Sequence, residues 1–310
     1  MGNRTTIQEF TLEGFPAIQH LGKVLFSVHL LAYLVTITGN VVIVTITCAD
    51  ARLQTPMYFF LCVFSLIECC FTSTVIPKLL VIFLLGRQTI SFAACFIQIF
   101  FFLFVGSSGF FIIAVMSLDR YMAICKPLHY SRIMNPRTCL LLVTACFATS
   151  LILVTGLLVK IYHLSFCGPH VIPHFFCDLN SLIHLSCSDT RSAKMMAFAC
   201  SSVVLFTSLT MTAMAYSNIV ATIVRLPSAT ERHRAFSTCS SHLMVLSLMY
   251  SSCIFIYMKP KQMSRLDSNR EAALVNTVVT PLLNPVIYSL RNKQVYQALQ
   301  EALCRRGMLR

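Results

Sequence analysis

Charge is what this chain has least of. Of its 310 residues, 11% are Asp, Glu, Lys or Arg and 56% are hydrophobic, whereas soluble domains carry about 25% charged residues. That shortage excludes a soluble enzyme, a coiled coil and a disordered chain. Most catalytic apparatus is missing too: there is no Gly-rich phosphate loop, no His-Glu-x-x-His and no Gly-x-Ser-x-Gly. The first 22 residues lack the apolar core of a signal peptide. Neither an internal repeat nor a low-complexity segment is present.

Long apolar runs are what the chain does have. A helix needs about 20 apolar residues to cross a bilayer. Seven runs reach that length, near 24–48, 57–83, 95–120, 139–161, 195–224, 236–258 and 271–290. Val24 to Thr47 is continuously apolar rather than alternating, which points to helices and away from the short alternating strands of a membrane barrel. The expected fold is all-α, a seven-transmembrane helix bundle. Residues 1–23 are expected to form an extracellular tail, 24–290 the transmembrane domain, and 291–310 a cytoplasmic amphipathic helix and tail. In that last segment Val295, Ala298 and Leu299 share a helical face, with Arg291 and Lys293 on the flank. Cys304 is a candidate for lipidation there.

The formal net charge is +13. The bases are scattered among loops without interleaved aromatics, so they read as membrane-flanking cations rather than a nucleic-acid patch. With the N-terminus outside, a small majority of the 24 Lys and Arg fall on the cytoplasmic side. Asn3-Arg4-Thr5 is a glycosylation sequon whose use requires that orientation. Cys95, Cys167, Cys177 and Cys187 lie in or beside loops, where an even set suggests disulfides. Cys167-x2-His170-x3-His174-x2-Cys177 also has metal-like spacing. Bridged sulfurs are poor ligands, so neither a metal nor a cofactor is expected.

Within the runs, Glu68 is the one deeply placed acid. Asp119-Arg120-Tyr121 closes the third run, inside the longer stretch Met116-Ser117-Leu118-Asp119-Arg120-Tyr121-Met122-Ala123-Ile124-Cys125. Gly39-Asn40 stands in the first run, and Pro56-Met57-Tyr58-Phe59-Phe60-Leu61 opens the second. His174-Phe175-Phe176-Cys177-Asp178 lies in the loop after the fourth. Ala235-Phe236-Ser237-Thr238-Cys239 opens the sixth, and Pro281-Leu282-Leu283-Asn284-Pro285-Val286-Ile287-Tyr288 closes the seventh. Together these motifs resemble the olfactory (odorant) receptors among the rhodopsin-like (class A) G-protein-coupled receptors, of the land-vertebrate type, over nearly the whole chain.

That resemblance implies a multi-pass receptor of the plasma membrane that binds a small, mostly apolar odorant. It also implies a partner, a stimulatory olfactory heterotrimeric G protein that drives adenylyl cyclase. It pairs Cys95 with Cys177 and Cys167 with Cys187. It makes Asp119, Arg120, Tyr121, Tyr216, His242, Asn284, Pro285 and Tyr288 the switch, with Ala123, Ile124, Arg232, His233 and Arg234 facing the G protein. Physically, Pro285 removes a backbone donor and bends the last span, while Asn284 can satisfy freed carbonyls. The family commonly places a second acid eleven residues before Arg120, where this chain has Gly109. Glu68 is therefore expected to meet its sodium ion or proton alone, and sodium modulation to be weak.

Helix depth narrows the ligand site. Cys95 to Arg120 spans about 37 Å of helix, so the outer-middle third carries Phe102, Leu103, Gly106 and Ser107. At comparable depth lie Cys200, Ser201, Val204 and Leu205 on the fifth helix. Tyr250, Cys253, Ile254 and Tyr257 on the sixth and Leu274, Thr277 and Val278 on the seventh complete the set. Because no charged residue is among them, charged odorants are expected to bind poorly. Residues 271–290 contain no lysine for a retinal Schiff base. A transporter or an intramembrane hydrolase would need several polar groups at mid-membrane.

Overall fold

The computed structural model describes residues 8–167, 170–257, 273–291 and 293–307. Asn3 and its sequon lie outside them.

Ten helices are described: α1 (Gly22–Ala49), α2 (Pro56–Leu85), α3 (Phe92–Cys125), α4 (Pro127–Ile133), α5 (Pro136–Tyr162), α6 (Leu179–His184), α7 (Arg191–Val224), α8 (Ala229–Tyr257), α9 (Thr280–Arg291) and α10 (Lys293–Gly307). Most of the long helices run a few residues past their apolar cores, because their start signals are polar or proline residues outside those cores. Pro56 and Pro136 sit in the first turns of α2 and α5, where a missing N–H costs nothing. Ser91 and Asn135 cap α3 and α5, accepting from the backbone N–H groups of Ala94 and Thr138 at 3.2 and 3.0 Å.

Five helices among the described residues are long and apolar enough to cross a membrane: α1 with the turn before it, α2, α3, α5 and α7. With α8 and α9 they make the seven-helix bundle. α3 runs through the middle, packed on α2, α5, α7 and α8. Outward-facing Leu31, Leu140, Leu141, Ile152, Phe198 and Phe206 are exposed. In water such a surface would aggregate; in a bilayer it is solvated by lipid. α9 comes close to α1 at Gly39, where an added Cβ would stand 2.9 Å from the Cβ of Pro285.

A feature absent from the sequence reading covers the outer end. Three short strands, β1 (Glu9–Leu12), β2 (Gln88–Ser91) and β3 (Val171–Ile172), form a sheet in the order β2-β1-β3. β1 is antiparallel to β2 and parallel to β3. Its alternation turns Phe10 and Leu12 fully inward onto an outer core with Ile172, Phe175, Phe176 and Ile183. At the inner end α10 buries Val295 and Ala298. Tyr58 donates to Gln294 Oε1 at 2.6 Å. Arg52 bridges Asp50 and Glu301, each at 2.7 Å.

Candidate functional site

The outer half of the bundle holds a cavity of about 440 Å³. Its walls come from α2, α3, α5, α7, the segment before α9 and the loop between α5 and α7. α3 supplies Phe102, Leu103, Gly106, Ser107 and Phe110, which follow one face of a helix. α7 supplies Cys200, Ser201, Val204 and Leu205, and the last span supplies Ala273 and Thr277. Phe102 stacks on Phe71 and contacts Phe176, both with ring centroids 5.0 Å apart.

Two hydroxyls of this cavity, on Ser107 and Thr277, already spend their protons. Ser107 Oγ donates to Phe104 O at 3.1 Å, and Thr277 Oγ1 donates to Ala273 O at 2.8 Å. Toward a ligand both are left as acceptors. The carboxylate of Asp178, which also lines the cavity, caps α6 by accepting from the backbone and hydroxyl of Ser181 at 2.9 and 3.0 Å.

Several residues expected at this site lie elsewhere. The ring of Tyr250 packs on Phe110 at 5.9 Å, and its hydroxyl is 3.4 Å from Thr212, deeper in the bundle than the cavity. Leu274 and Val278 pack into the outer core, and Ala273 takes the facing position one turn above Thr277. A π-helical turn, Val275–Val279, intervenes and breaks the regular register that the depth argument assumed. The side chains of Cys253, Ile254 and Tyr257 lie outside the described residues.

Other wall residues escaped the sequence reading. Leu153, Val154 and Leu157 come from α5, and His174, Phe176, Asp178, Leu179 and Asn180 come from the loop. Leu153, Val154 and Leu157 follow helical spacing on one face of α5, a signal the sequence also carries. The loop residues were legible only as a motif. The two disulfides that tie the loop down are Cys95–Cys177, to the start of α3, and Cys167–Cys187, within the loop.

At the inner end, Arg120 pairs with Asp119 at 2.6 Å, and the carboxylate is fully buried. Asp119 Oδ1 also accepts from Tyr130 of α4 at 2.8 Å. Burial, and then the neighbouring Asp119 charge, raise the Tyr130 phenol above its ordinary value. Tyr216 Oη and His242 Nδ1 meet at 2.7 Å between α7 and α8. Tyr121 packs against the inner core, and Asn284 and Pro285 are buried in α9. The side chains of Tyr288 and Arg234 lie outside the described residues. Asp119, held by Arg120 and Tyr130, ties α3 to α4, and the Tyr216–His242 bond ties α7 to α8.

Glu68 is buried on α2 between the two sites, and Gly109 faces it across a cavity of about 50 Å³. Among the described residues no group of three or more His, Cys, Asp or Glu could hold a metal ion.

The chain is similar to human olfactory receptor 6C75, 45% identical over 97% of this chain and 96% of that protein. It is also similar to mouse olfactory receptor 6E1, 46% identical over 97% and 96%. Its fold is similar to that of squid rhodopsin, with a TM-score of 0.70 at 17% identity, covering 92% of this chain and 80% of that one. The family model of the olfactory receptors matches residues 29–306, and the chain belongs to that family.

Proposed function

We propose that the chain is an odorant receptor of the plasma membrane, with its N-terminus outside and its C-terminus in the cytoplasm. It takes a small, mostly apolar volatile molecule in the outer cavity and activates a stimulatory heterotrimeric G protein that raises cAMP. The observation that carries this reading is the cavity of about 440 Å³, walled mainly by aromatic and aliphatic side chains on α2, α3, α5 and α7. Such sites bind by apolar burial with a few oriented polar groups. The opposite end of α3 carries the Asp119–Arg120 pair, so one rigid helix joins the two sites. An odorant that binds better when the inner end is open shifts the population toward that state.

The family supports the G-protein partner, and the loop bases at Arg225, Arg232 and His233 suit an acidic or anionic surface. Expression in cells with and without the stimulatory G protein tests the reading. Some member of a broad volatile panel should raise cAMP only when receptor and G protein are both present. A receptor at the surface that stays silent to the whole panel, or a response independent of the G protein, contradicts it.

A further inference from the structure

One wall of the outer cavity is made of three aromatic rings that meet at Phe102. Phe71 of α2 and Phe176 of the loop each lie with their ring centroids 5.0 Å from that of Phe102 on α3. Rings from three elements keep such spacing when the elements are held to one another. A single side chain reaches all three, within a turn of every ring. Gln98 of α3 stands four residues before Phe102 and so on the same helix face. Its Nε2 donates to Thr74 O of α2 at 2.8 Å. Its Oε1 accepts from the backbone N–H of Cys177 at 3.0 Å. A carbonyl only accepts and an N–H only donates, so these partners fix which way the amide faces. Gln98 does not itself line the cavity.

Each bond steadies the ring nearest to it. Thr74 lies three residues after Phe71, and its hydroxyl donates back to Phe71 O at 2.6 Å. Pro77 follows within a turn, where α2 lacks a ladder donor and bends. A donor from a neighbouring helix holds such a turn in place. At the other end, the N–H of Cys177 belongs to the planar peptide group that joins it to Phe176. The disulfide to Cys95 holds Cys177 by its side chain. The Gln98 bond holds the peptide plane, and with it the direction in which buried Phe176 leaves the chain.

We propose that Gln98 is a positioning residue for ligand size: its amide holds Phe71 and Phe176 against Phe102, and the wall so fixed sets the longest chain the outer cavity admits. Without the Gln98 bond that peptide plane is free to turn, and Phe176 to draw back from the cavity. This inference rests on the odorant-cavity reading and adds to it a residue behind the wall that decides which homologue fits.

The test uses the full chain in cells at matched surface expression. The probes are an agonist found in a volatile panel and its straight-chain homologues, lengthened one methylene at a time until wild type weakens. Gln98→Leu keeps the bulk and loses both bonds, and Gln98→Asn is one methylene too short to span them. Both should move the length at which the response weakens up by one or two methylenes. The half-maximal concentration of the long homologue relative to the short one should fall about fourfold for each methylene regained. Gln98→Glu keeps the acceptor for Cys177 and should keep the wild-type cut-off. A merely structural role would remove both variants from the surface or shift every homologue by one common factor. Either result overturns the inference, as does an unchanged cut-off in Gln98→Leu and Gln98→Asn. A cut-off in Gln98→Glu as long as that of Gln98→Leu overturns it too. If no volatile acts on wild type, the odorant reading itself fails, and that failure is seen before any substitution is made.

Discussion

Ser107 and Thr277 each offer a ligand in the outer cavity little polar energy. Each hydroxyl gives its proton to a carbonyl of its own helix, so neither can anchor a ligand that only accepts. Ser107→Ala or Thr277→Ala should raise the half-maximal odorant concentration by about fivefold at most, since a neutral hydrogen bond is worth about 1 kcal/mol net. A dose-response series in cells reads this directly. Arg120 is different in kind. Its partner Asp119 is fully buried and is also held by Tyr130, so the pair latches α3 to α4. Arg120→Ala should leave surface expression roughly intact and abolish evoked cAMP; a normal dose-response would remove Arg120 from the mechanism. The raised Tyr130 phenol keeps its proton, and so its bond to Asp119, as pH rises past its ordinary value near 10. The stability it contributes is present below that value and is lost only as pH climbs through the higher, folded one.

At the scale of elements, the outer cap is the least expected part of the molecule and a testable one. Phe10 is buried in a strand of four residues, and a large buried aromatic cut to alanine costs about 3–5 kcal/mol. Phe10→Ala should therefore lower surface expression and thermal stability while leaving the cavity walls in place. Of the two disulfides, Cys95–Cys177 spans 82 residues and Cys167–Cys187 spans 20. The chain-entropy argument makes the first worth roughly 1 kcal/mol more, so Cys95→Ser should reduce surface receptor further than Cys167→Ser in parallel surface labelling.

The helices were legible because hydropathy and length are properties of a continuous run, and Pro56, Pro136, Ser91 and Asn135 mark their starts. The cap was not. β1 carries its signal in two inward residues, Phe10 and Leu12, whose partners lie some 80 and 160 residues away. The cavity was legible on α3 and α7, where a bridged cysteine and Asp119-Arg120-Tyr121 set the depth. It was missed on α5, whose sequence carries no depth marker of that kind, and where the backbone leaves the regular helix, at the π turn Val275–Val279 and in the loop that delivers Phe176 and Asp178.

For the whole molecule, the proposed function requires one coupling: what fills the outer cavity must set the state of the inner latches. α3 reaches both sites as one continuous helix, with Phe102 and Gly106 at one and Asp119 and Arg120 at the other. The most direct measurement is the odorant dose-response for cAMP of Gly106→Leu against wild type, at matched surface expression. The substituted side chain presses directly on Phe71, with its Cβ 3.3 Å from Cε2 of that ring, and takes up ligand volume without touching the inner end. The expected result is a shift to higher odorant concentration of about tenfold or more, from lost apolar contact. Superimposable curves would place the ligand elsewhere and contradict it.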